Sequence, residues 1–146
     1  MAELQYSYFP GCSALATSEN YEASTRAVAQ CLGVELIELD DWSCCGATLV
    51  MGLDRAQATV LAARNLALAE LADRDLVTAC SGCYLALTKT ANTLKRDPTL
   101  LASVRSALRA GEMDYGGGTR VRHLLDVFVS DVGPATIQKH VKHQLA

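Results

Sequence analysis

At 146 residues, half of them hydrophobic and 20% charged, the chain has the length of one domain and enough aliphatic content for a self-supporting core. This composition excludes a disordered chain, and thirteen basic against sixteen acidic residues leave no cationic field to attract nucleic acid. No apolar run approaches the roughly 20 residues of a membrane span, and Met1-Ala2-Glu3-Leu4-Gln5 has an acid where an export signal would carry lysines; a soluble, cytoplasmic, single-domain protein is expected.

The chain opens with Leu4–Phe9, rich in β-formers and ended by Pro10-Gly11, which predicts a first strand. A helix is expected from near Ser18, with Glu19 and Glu22 at its positive end, to the stop at Gly33. Val34–Leu39 reads as a second strand, followed by a loop holding Trp42 and Cys44-Cys45-Gly46. The clearest helical period runs from Leu53 to Ala72, where Leu53, Ala56, Val60, Ala63, Ala67 and Leu71 form a stripe widened by Leu61 and Leu68. Asp75–Ala79 is a short apolar run ending at Cys80, as a buried parallel strand would. Helices over Gly82–Lys95 and Pro98–Arg109 follow, then a Gly116-Gly117-Gly118 turn that lacks the GK[ST] element of a phosphate loop. Val121–Val132 reads as a strand passing into a helix, and Pro134 opens a last helix. Strand–helix alternation of this kind implies an α/β fold, a parallel sheet with helices on both faces.

In such sheets ligands bind beyond the C-terminal strand ends, which is where five of the six cysteines fall. Cys12 follows the first strand, Cys44 and Cys45 the second, Cys80 and Cys83 the third. Each intervening stretch is long enough for one helix and one strand, returning the chain to the same edge. Cys80-Ser81-Gly82-Cys83 would lie on a strand-to-helix turn, whose amides and dipole favour thiolate, and Gly11, Gly46 and Gly82 permit close backbone approach. Five soft donors select an iron–sulfur cluster or zinc over hard cations. Zinc closes with four ligands, and a redox dithiol needs two, so each leaves cysteines over. Both alternatives, and inert core thiols, remain open on the chemistry alone.

The pattern Cys12-x31-Cys44-Cys45-Gly46-x33-Cys80-x2-Cys83 resembles the cysteine-rich CCG domain found in the B subunit of heterodisulfide reductases. Tyr8-Phe9-Pro10-Gly11-Cys12, the Leu61–Leu66 run, Thr78–Tyr84 and Val121-Arg122-His123 are similar to it too. The resemblance covers nearly the whole chain and implies one Rossmann-like CCG domain over residues 1–146. It further implies a noncubane [4Fe–4S] cluster held by Cys12, Cys44, Cys45, Cys80 and Cys83, in a polypeptide that carries electrons to a disulfide substrate. A ferredoxin-like [4Fe–4S] subunit and a flavin subunit would supply those electrons. Because the family usually carries two such domains in tandem, a second CCG domain from another chain is an implied partner. Alternatives from the same resemblance are electron transfer in lactate-, glycolate- or succinate-oxidising complexes; a zinc-stabilised, non-catalytic interaction subunit stands beside them.

Other residues have plainer readings. Cys31 shares a stripe with Tyr21, Ala27 and Val28 and is expected to be a small buried hydrophobe. Trp42 is expected to pack, Tyr84 either to pack in the core or to lie over the cysteine site or donate to it, His123 to be hydrogen-bonded or exposed rather than a proton donor, and Lys139, His140, Lys142 and His143 to form a solvated basic face.

Overall fold

The computed structural model describes residues 4–143. Four strands form one parallel sheet in the order β2-β1-β3-β4: β1 (Leu4–Tyr8), β2 (Val34–Glu38), β3 (Leu76–Thr78) and β4 (Val121–His123). The chain first winds from β1 to one side and then returns past it to β3 and β4. Right-handed crossovers in opposite directions place the connecting helices on opposite faces. Helix α1 (Glu19–Cys31) packs on one face, where Ala29 meets Tyr6, Val34, Val77 and Ala79. On the other face lie α3 (Arg55–Leu71), α4 (Ser81–Arg96) and α5 (Pro98–Arg109), whose buried residues enclose Phe9, Leu39 and Leu76. Leu76 and Val77 are adjacent yet serve the two different cores, as the alternation of a strand buried on both faces requires.

The expected α/β architecture is therefore the one observed, with the element ends moved by a residue or two. Two readings are corrected. The helix expected from Leu53 starts two residues later, as α3, because Asp54 is extended and its carboxylate caps the amides of Ala56 and Gln57, and a separate short helix, α2 (Leu49–Leu53), precedes it. Leu53 and Leu71, the two ends of the expected stripe, are exposed at 80% and 78%, whereas its Ala63 and Ala67 are buried, together with Ala58, Ala62, Asn65, Leu66 and Ala69. Apolar residues occur around so much of α3 that several stripes fit its sequence equally well.

Cys31 is the second correction: it is exposed, as are Tyr21 and Val28. The buried face of α1 is instead Glu22, Thr25 and Ala29. A polar network turns the helix that way. Tyr8, fully buried on β1, donates to Glu22 at 2.6 Å, and Arg26 joins Glu22 at 2.7 Å to Glu38 at 2.5 Å while lying over the Tyr8 ring. A buried carboxylate with two partners is tolerated where an orphan would not be.

After β4 the chain turns into α6 (Leu124–Val127), a π-helical turn at Phe128–Val132, and α7 (Pro134–His140), no residue of which is buried. Lys139, His140, Lys142 and His143 are exposed, as expected of a solvated basic face. No described helix is long and apolar enough to cross a membrane.

Candidate functional site

The three strands β1, β2 and β3 deliver five cysteines to the C-terminal edge of the sheet. Cys12 lies exposed in the turn after β1, just past Gly11, whose φ of +81° is open to glycine. Cys44 and Cys45 lie in the loop between β2 and α2, half-buried and buried respectively. Cys80 is the residue that precedes α4, in extended conformation, and Cys83 is buried in the first turn of that helix. All five are free thiols.

The side chains form a string. Each thiol is close enough to perturb the next: Cys12 acts on Cys44, Cys44 on Cys45, Cys45 on Cys83, and Cys80 on Cys83. Contacts therefore run pairwise along the five sulfurs; among the described residues no three ligand side chains are drawn onto one point as a single ion would draw them. The sixth thiol, Cys31, ends α1 and takes no part.

Two glycines make this packing possible. A β-carbon on Gly11 would meet the Cys83 sulfur at 2.9 Å. One on Gly46, where φ is +79°, would meet the Ala58 carbonyl oxygen at 2.8 Å, so the loop after Cys45 presses directly on the backbone of α3.

The electrostatics of the string are uneven. The thiol of Cys83 donates to Cys45, and this bond draws Cys45 down to about 6 against the opposing effect of burial, with help from the amides of Ala47 and Cys45 itself. The same bond, reinforced by burial, pushes Cys83 up. The Gly46 amide donates to the Cys44 sulfur at 3.4 Å and favours its thiolate, but burial and the neighbouring thiols Cys45 and Cys12 outweigh it and leave Cys44 raised. In the thiol state, then, the favoured thiolate is Cys45, and the helix-start position of Cys83 does not by itself produce one.

The surroundings are mainly packed. Trp42 meets Phe9 edge-on at 5.1 Å and donates to Glu38 at 3.2 Å. His123 ends β4 beside Thr78 of β3, accepts from the Leu125 amide through Nδ1 at 3.2 Å, and meets the Tyr84 ring edge-on at 5.7 Å. Ser81 is exposed at the start of α4.

Sequence reasoning assigned no role to Asn65, which is wholly buried on α3 and binds the backbone of the Cys44 loop at Ser43 and Cys44. The signal available was a carboxamide inside an Ala- and Leu-rich helix, since a polar side chain on such a face must find partners. Its neighbour Arg64 holds the start of the same loop through the Asp41 carbonyl at 2.6 Å.

Comparison with known proteins points to one family. The family described as a cysteine-rich domain, CCG, matches residues 6–88. The B subunit of a ferredoxin/F420H2-dependent CoB–CoM heterodisulfide reductase from Methanosarcina acetivorans is 34% identical over 142 residues, covering 97% of this chain and 47% of that protein. The membrane anchor subunit of 8-methylmenaquinol:fumarate reductase from Wolinella succinogenes is 37% identical over 128 residues, covering 88% of this chain and 44% of its own length. The chain thus spans about half the length of the curated relatives it matches. A crystal structure of a hypothetical protein from Helicobacter pylori superposes with a TM-score of 0.73 at 18% identity over 85% of this chain and 24% of that one, a likeness of fold.

Proposed function

The chain belongs to the family of cysteine-rich CCG domains, and from that premise we propose that it is the iron–sulfur subunit, or part of one, of a heterodisulfide reductase-like complex. Its relatives are subunits of reductases, which fits a role in electron transfer. Cys12, Cys44, Cys45, Cys80 and Cys83 are the proposed ligands of a noncubane [4Fe–4S] cluster. The observation that carries this reading is the string of five thiols gathered from three strand ends. Five soft donors suit a multi-atom iron–sulfur group, whereas zinc closes with four and would leave one over.

A bound cluster would supply one-electron chemistry and an iron able to take a departing thiolate, directed at a disulfide substrate. The chain's own part is to present the sulfurs and govern their surroundings. Cys45 is already biased towards the ligating thiolate by the Cys83 hydrogen bond and by loop amides. Gly11 and Gly46 let two backbone turns close on the sulfurs. Phe9 and Trp42, edge-on to each other, add apolar surface at the base of the loop that bears Cys44. The proposed partners are a ferredoxin-like [4Fe–4S] subunit, a flavin subunit and a second CCG domain, in a cytoplasmic complex.

Iron, acid-labile sulfide and zinc per chain, measured on protein purified without oxygen, test the reading. About four irons and four sulfides with little zinc are expected. One zinc and no sulfide would end the cluster proposal and leave a structural zinc site.

A further inference from the structure

Asn65 lies in the middle of α3 with none of its surface exposed, and a buried carboxamide there must satisfy one carbonyl and two N–H groups. Its Oδ1 accepts from the Ser43 amide at 2.9 Å. Its two Nδ2 hydrogens are shared among three carbonyls, those of Ser43 at 3.0 Å and Leu61 at 3.2 Å and, most weakly, that of Cys44 at 3.4 Å. Two of the loop's carbonyls are thereby turned towards α3.

This orientation has a consequence one bond further on. A trans peptide is planar, with its C=O and the next N–H pointing in opposite directions. With the Ser43 and Cys44 carbonyls held by Asn65, the N–H groups of Cys44 and Cys45 point away from α3. The chain then turns at Gly46, and the Gly46 amide donates to the Cys44 sulfur at 3.4 Å. Asn65 thus orients the Ser43–Cys44 and Cys44–Cys45 peptides, and the peptide that follows them carries the amide that reaches the Cys44 sulfur. A hydrophobic residue at position 65 would fill the same space and orient nothing.

We propose that Asn65 is a positioning residue that fixes the amide dipoles facing the Cys44 and Cys45 sulfurs and so sets the electronic properties of the group they ligate. The inference rests on the iron–sulfur reading above and goes beyond it by naming what holds this corner of the site. N–H···S bonds to ligating sulfurs raise the potential of an iron–sulfur group. Losing them leaves the group harder to reduce.

The test uses the full chain as wild type, Asn65→Leu and Asn65→Asp. The aspartate is nearly isosteric and still accepts from the Ser43 amide, but cannot donate to the loop carbonyls; it decides the matter if the leucine variant does not fold. In metal-free protein, amide exchange across residues 43–47 is expected to quicken about tenfold in both variants, with β3 and α4 unchanged. In iron-loaded protein, iron per chain is expected to be retained, the midpoint potential to move negative, and the EPR g-values to shift. Faster exchange with an unmoved potential and spectrum would overturn the inference and leave Asn65 a packing residue; unchanged exchange would overturn it outright. If the wild type takes up no iron, the cluster reading fails on its own, while the exchange comparison still decides whether Asn65 orders the turn.

Discussion

A β-carbon on Gly11 would stand 2.9 Å from the Cys83 sulfur, so the turn after β1 and the first turn of α4 meet where only glycine fits. Gly46 makes the equivalent approach to α3, but there the obstacles are Ala58 backbone atoms at 2.8 Å and 3.0 Å, which cannot rotate aside as a thiol can. Both residues also have positive φ.

Gly11→Ala is therefore expected to cost about 1 kcal/mol in backbone strain, with Cys83 displaced from its place in the string. Gly46→Ala is expected to cost about 2–4 kcal/mol, because strain and overpacking against a fixed backbone add. Thermal unfolding of the metal-free proteins ranks the two, and iron per chain shows the consequence for the site. For Gly11→Ala the loss of iron should exceed what its small loss of stability explains. Full iron content in that variant would show that the contact with Cys83 is dispensable.

Cys45→Ser is expected to abolish normal iron uptake while leaving the fold standing. The side chain is 5% exposed and adjoins the larger core, but that core is mostly aliphatic and does not hang on one thiol. A hydroxyl in its place costs about 1–3 kcal/mol if poorly partnered. Cys31→Ser should change neither iron content nor melting temperature, because Cys31 is exposed at the far end of α1. Circular dichroism and metal analysis of the pair separate ligation from folding.

A pH-dependent part of the stability is centred on Arg122, whose side chain is 6% exposed and binds Asp126 at 2.6 Å and Asp131 at 2.5 Å. The hydrogen bond from Arg122 is the leading cause that holds both carboxyls below the usual carboxylate range. A group whose folded pKa is depressed stabilises the fold above its unfolded value, about 3.9, and gives that stability up as the pH falls through the folded value. Melting temperature should accordingly hold from pH 7 down to about 5 and fall below about 4. Asp131→Asn is expected to be less stable at pH 7 by about 1–3 kcal/mol, since it strips a partner from a buried guanidinium. Its acid-limb decline should be shallower than that of the wild type. Parallel declines would mean that Asp131 does not titrate in this window.

How much of this was legible in the sequence differs from residue to residue. The strand ends and their cysteines were, because Pro10-Gly11 marks the end of the first strand, short apolar runs mark the next two, and the spacings return each thiol to the same edge. The inner face of α1 was not: Tyr8 and Glu38 lie on strands outside the helix, and only the hydrogen bonds that link them through Glu22 and Arg26 make it favourable to bury Glu22 instead of Val28. The break at Asp54 was a cap that the apolar period concealed. Asn65 escaped for a related reason, since its partners are backbone atoms of a loop 21–22 residues away. Propensity and period describe what a residue is, whereas these features depend on what it meets.

The single tryptophan supplies a last prediction. Trp42 precedes Cys44 by two residues, packs edge-on against Phe9 at 5.1 Å and is only half-buried. An iron–sulfur group on the neighbouring sulfurs absorbs broadly across the region where indole emits, so energy transfer over such a short distance would be efficient. Emission from Trp42 is expected to be strongly quenched in iron-loaded protein and restored when a chelator removes the iron. In Cys45→Ser the emission should remain high throughout. Trp42→Phe should bind iron as the wild type does, because the indole contributes packing and a hydrogen bond to the exposed Glu38 and donates nothing to the sulfurs. Emission that does not respond to loading, in protein shown by metal analysis to contain iron, would place the iron away from the Cys44–Cys45 loop and contradict the proposed ligand set.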